Sequence, residues 1–70
     1  MERYPVVSSN LMSVGYDPTT ETLEVEFSSG SIYQYANVPQ SMYEQLMQAD
    51  SKGGFLNFHV KDNYPVSRVG

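Results

Sequence analysis

The chain has 70 residues, no cysteine and a formal net charge of -4. That length allows one domain with a thin core, and the lack of cysteine excludes disulfides, zinc ribbons and thiol nucleophiles. An acidic balance also argues against a protein that binds nucleic acid over its whole surface, because such affinity comes largely from neutralised phosphates.

The 40% apolar share suits a folded domain rather than a disordered chain. No apolar run approaches the length of a membrane span. The opening "MERYPVVSSN" has no basic stretch followed by a long apolar core, so no signal peptide is expected and the cytoplasm is the default compartment. Charge is unevenly spread. Residues 1–50 set Arg3 against Glu2, Asp17, Glu21, Glu24, Glu26, Glu44 and Asp50, whereas residues 51–70 set Lys52, Lys61 and Arg68 against Asp62 alone. Any anion site is therefore expected in the last twenty residues.

In chain order, Pro5 and the polar "SSN" argue against regular structure in the lead-in. "LMSVGYD" alternates as a strand, with Met12, Val14 and Tyr16 on one face and Leu11, Ser13 and Gly15 on the other. "DPTTET" is a turn that Pro18 and Asp17 initiate. "LEVEF" is the clearest strand, placing Leu23, Val25 and Phe27 inward and Glu24 and Glu26 on a wet face. "SSG" turns the chain, and "SIYQYA" is the third strand. Pro39 then suits the first turn of a helix on which Met42, Tyr43, Leu46 and Met47 recur at helical spacing. Asp50 or Ser51 caps a second helix, with Phe55, Leu56, His59 and Val60 on its inner face, and Pro65 ends it. "VSRV" reads either as a short edge strand or as a loose tail. The expected fold is α+β, a three-stranded antiparallel β-meander followed by two α-helices packed on one face. It forms a single domain over residues 1–70, with its core at about 6–64.

The alternating pair Tyr33 and Tyr35 admits two registers. A two-residue turn at Ser29-Gly30 sets both tyrosines opposite Glu26 and Glu24, on the wet face. A type I turn with a glycine bulge at Gly30 sets Tyr33 opposite Val25 and Tyr35 opposite Leu23, in the core. The demand of a thin core for aromatic area favours the bulge and a structural role for both rings.

The order of "SSNLMSVGYD" at 8–17, "LEVEFSSGSIYQYANVP" at 23–39 and "DSKGGFLNFHVKDNY" at 50–64 resembles the KTSC family. That family is named for the C-terminal extension of some lysyl-tRNA synthetases and occurs also as small stand-alone bacterial proteins. Tyr33-Gln34-Tyr35 matches its tyrosine-any-tyrosine motif. The resemblance implies no established activity and no catalytic residue to carry over. It suggests RNA only through the attachment to a tRNA synthetase, which is an analogy from context.

For ligand binding, the residues point to Lys52, Gly53, Gly54, Asn57 and Lys61. A glycine-bearing helix start offers free N–H groups and a positive dipole end, and the lysines add charge that suits phosphate. The plainer reading of the same stretch is a capped helix with a flexible entrance. His59, the only histidine, reads as a partly buried packing residue, and alone it makes no transition-metal site. Glu24 and Glu26 share a strand face without anything to separate their pKa values, and none of the turn serines sits on a strand-to-helix elbow. The expectation is a non-catalytic binding module without metal, cofactor or membrane partner. Its ligand is either RNA, tRNA included, or another phosphate-bearing molecule. The alternative is a protein partner on the acidic sheet face.

Overall fold

Alternation in the middle of the chain builds the sheet that it foretells, and two short flanking segments extend it. The computed structural model describes residues 1–70. Strands β1 (Tyr4–Pro5), β2 (Leu11–Asp17), β3 (Thr22–Phe27) and β4 (Ile32–Tyr35) precede helices α1 (Gln40–Gln48) and α2 (Lys52–Phe55). Helix α2 runs on into a π-helical turn, Leu56–Val60, and β5 (Val66–Arg68) closes the chain. All pairings are antiparallel, in the order β1-β2-β3-β4-β5. The α+β class therefore stands, with five strands where three are expected.

Both added strands are edges: β1 corrects the expectation of an irregular lead-in, and β5 is the edge-strand alternative for "VSRV". Proline is tolerated on an edge because it leaves no ladder donor unmade there, and Pro5 pairs with Ser13 beside Tyr4 and Val14. The tail docks because Ala36 N–H donates to the Pro65 carbonyl and Val69 N–H to the Ile32 carbonyl, each at 2.8 Å. Three residues are too few to show an alternation, and pairing with β4 decides for the edge strand over the loose tail.

The alternation of β2 is also broken. A bulge between Leu11 and Ser13 turns Leu11 into the core, 2% exposed, and leaves Met12 52% exposed, reversing the expected faces of both. Beyond the bulge the pattern holds, and Val14, Leu23, Val25 and Tyr35 form the sheet's share of the core. Leu46 from α1 and Leu56 and Val60 from the π turn complete it. Tyr16 stacks on Tyr43 of α1 at 4.8 Å between ring centroids and donates its hydroxyl to the Val38 carbonyl. One aromatic pair thus pins the first helix to the sheet. Pro39 stands one residue before α1, as its N-cap. Ser51 caps α2 by accepting the Gly54 N–H at 3.2 Å. His59 is exposed rather than half-buried, and its ring leans on Phe55 at 4.6 Å. No helix is long and apolar enough to cross a membrane.

Candidate functional site

The turn between β3 and β4 decides where the tyrosines point. Gly30 N–H donates to the Phe27 carbonyl and Phe27 N–H to the Ser31 carbonyl, both at 2.9 Å. Gly30 takes φ 95°, a conformation that glycine adopts without steric cost. This is the bulge register: Tyr33 lies opposite Val25, and Tyr35 opposite Leu23. On their other side, Arg68 and Val66 of β5 flank the same two rings. Tyr35 is 5% exposed, while Tyr33 is half-buried and meets the edge of Phe27 at 5.5 Å.

Above the tyrosines runs the second helix. The Asn10 side chain lies so close to Gly53 that a β-carbon there would collide with it, so glycine lets the helix start approach the base of β2. The helix then widens. Lys61 N–H donates to the Leu56 carbonyl at 2.8 Å, a five-residue step characteristic of a π turn. Leu56 and Val60 stay in the core, and Asn57 and Lys61 face outward. Asp62 follows with φ 69° and turns the chain toward Tyr64 and β5.

Between sheet and helix lies an open groove of about 660 Å³. Tyr33 and Tyr35 line it from the sheet, Gly53, Gly54, Asn57 and Lys61 from the helix, and Asp62 and Tyr64 from the connecting turn. Four of the five residues expected to bind a ligand thus share one opening with the tyrosines expected to be structural. Lys52 is the exception: its ammonium donates to the Ala49 carbonyl at 3.2 Å, and it does not line the groove. The Tyr35 hydroxyl makes no hydrogen bond within the chain, yet no buried side-chain polar atom lacks a partner, so this hydroxyl must reach the groove's accessible space. Burial first, then Tyr33 and Asp62, push the Tyr35 phenol above its ordinary pKa, which keeps it a hydrogen-bond donor.

The opposite sheet face is less open to partners than its glutamates suggest. Glu24 is 6% exposed rather than solvated. Gly15, its cross-strand partner, has no side chain, and Arg3 passes over it. The Arg3 guanidinium pairs with Glu24 at 2.5 Å, and Gln34 donates to the other carboxylate oxygen at 2.8 Å. Ser13 links this network to Glu26. Burial by itself raises the Glu24 pKa, but the hydrogen bonds from Gln34 and Arg3 and the charge of Arg3 outweigh it, and the net shift is downward. No three histidine, cysteine, aspartate or glutamate side chains converge as metal ligands.

Asp62, Tyr64 and Asn10 join the groove without having been singled out in the sequence. A "KDNY" turn after a helix signals only a chain reversal, and nothing local ties Asn10 to Gly53.

The model of the KTSC domain matches residues 7–64. A protein of unassigned function from Stutzerimonas stutzeri (strain A1501) is 49% identical over 57 residues, covering 81% of this chain and 80% of the relative. A lysine–tRNA ligase from Nostoc sp. (strain PCC 7120) is 47% identical over 54 residues, covering 77% of this chain but 10% of the ligase. A crystal structure of a KTSC domain protein from Yersinia pestis superposes with a TM-score of 0.96 at 38% identity, covering 99% of this chain and 97% of that one.

Proposed function

Because the chain belongs to the KTSC domain family, we propose that it is a non-catalytic binding module whose groove receives a short segment of single-stranded RNA. The half-buried ring of Tyr33 and a lysine without an ion-pair partner share one opening, and this carries the reading. Single-stranded nucleic acid is held by aromatic surfaces for its bases and by cations for its phosphates. Lys61 supplies a cation on the helical side of the groove, and Arg68, cross-strand from Tyr33 and bonded to the Gly70 carbonyl, lies outside the lining beside the sheet. The occurrence of a similar segment within lysine–tRNA ligases, whose name states an RNA substrate, favours the same class of ligand. A protein partner on the acidic sheet face has less support, because Arg3 neutralises the glutamate at its centre. The single histidine lies exposed on Phe55 rather than in the groove.

With a net charge of -4, affinity should be low and should fall steeply with salt. A titration followed by amide NMR at low salt, with a random-sequence RNA heptamer, tests the reading. Shifts should centre on Tyr33, Tyr35, Asn57 and Lys61, and Lys61→Glu should reduce the salt slope by about one. Shifts confined to residues around Glu24 and Glu26, or no shifts at all, would refute it.

A further inference from the structure

We propose that the groove selects guanine, with the Asp62 carboxylate reading the Watson–Crick edge of the base. This deepens the RNA reading and rests on it.

Most polar groups that open into the groove are hydrogen-bond donors without a partner in the chain. Tyr35 is one of them, a ring 5% exposed whose hydroxyl makes no bond within the chain and reaches the groove. Because that hydroxyl reaches the groove's accessible space, it is free to donate to an acceptor on a ligand that enters. Lys61 adds a charged donor, and the Asn57 amide offers both a donor and an acceptor. Asp62 is the odd member. It lines the same groove, and both ion-pair contacts of the chain belong to Arg3, so Lys61 does not neutralise it.

A carboxylate in a phosphate-binding groove repels phosphate unless the part of the ligand beside it carries donors. Among the RNA bases only guanine presents two adjacent N–H donors on one edge, at N1 and at the exocyclic amine. They match the two oxygens of one carboxylate. Adenine and cytosine set a single amine beside an acceptor nitrogen, and uracil sets its one N–H between two carbonyls. The acceptor O6 of guanine, next to those donors, then has Tyr35 and Lys61 available to it.

The turn that carries Asp62 is held in place. Asn63 N–H donates to the Val60 carbonyl and its side-chain amide to the His59 carbonyl, each at 3.1 Å, which fixes the turn that carries Asp62. A volume of about 660 Å³ suits one nucleotide.

The test compares two RNA probes, heptauridine with one central guanine and heptauridine with one central adenine, titrated by NMR against the native chain and Asp62→Asn. Asparagine also accepts the left-handed backbone of this position, so the fold should persist, and a dispersed amide spectrum would verify it. The variant keeps one oxygen and replaces the other with a donor. The native chain should bind the guanine probe about tenfold more tightly than the adenine probe. Asp62→Asn should bring the two within about twofold of each other. Equal binding of both probes in the groove by the native chain would overturn the guanine assignment and leave the RNA reading standing. A preference that survives in Asp62→Asn would likewise overturn the role of Asp62. Absence of either probe from the groove would overturn both.

Discussion

Leu23→Ala should cost about 3–4 kcal/mol, a large share of the domain's total stability. Leu23 lies in the central strand, completely buried, opposite Tyr16 on one side and Tyr35 on the other. Removing its branched end creates a cavity among aromatic rings and β-branched neighbours, which have little rotamer freedom to fill it. A chain of 70 residues has a total stability on the order of 4–10 kcal/mol, so a loss of this size is a large share of the whole. Urea denaturation gives the result directly, as a lower midpoint with an unchanged slope. A loss below about 1 kcal/mol would mean that the rings collapse into the space and that the core is looser than its burial implies.

Gly15→Val should destabilise the domain by about 2 kcal/mol, although valine is among the best strand residues. On propensity alone the substitution in β2 should help. Here a β-carbon would collide with the Glu2 carbonyl and lie 3.0 Å from the Arg3 side chain, so β1 must move off the sheet. Arg3 then leaves Glu24, whose carboxylate is 8% exposed and keeps only Gln34 as a partner. Acid unfolding reports the same event. The folded-state pKa of Glu24 is depressed, so its contribution to stability is fully present above the ordinary glutamate range and is lost as pH falls through the lower folded value. In Gly15→Val, with Arg3 displaced, that acid-dependent loss should shrink. A variant as stable as the native chain, with the same acid limb, would show that β1 contributes nothing to the domain.

The sequence made the hairpin of β3 and β4 fully legible, because the alternation of "LEVEF" and "SIYQY" and the single glycine between them left only two registers to weigh. The need for aromatic area in a thin core then selected the register that the hydrogen bonds display. The bulge in β2 was not legible, since Leu11 and Met12 are equally apolar and only the position of β3 decides which of them turns inward. Strand β1 was hidden and β5 was left between edge strand and tail for a related reason: both form by pairing with neighbours rather than by a pattern of their own. The groove was half legible. Its helical residues announce themselves by glycine, charge and i, i+4 spacing, but that they meet the two tyrosines depends on the π turn and on β5, and neither has a local signature.

That dependence on β5 bears on how the molecule assembles. Strands β2, β3 and β4 follow one another through tight turns and can zip together early, whereas β4 must wait for both helices to fold before β5 reaches it. Contact order therefore predicts that the hairpin that carries Tyr33 and Tyr35 forms early and the strand beside it last. The last-formed contact is also the first to open in the native state, a local fluctuation that leaves the central sheet intact. Hydrogen exchange should show it, with the amides of Ala36 and Val69, which bridge β4 to the tail, exchanging well before that of Val25; equal rates at all three would mean that the domain opens only as a whole. In this molecule the groove lies on the seam between the local hairpin and the strand that closes the chain, so a ligand held there would act as a clasp on the final strand.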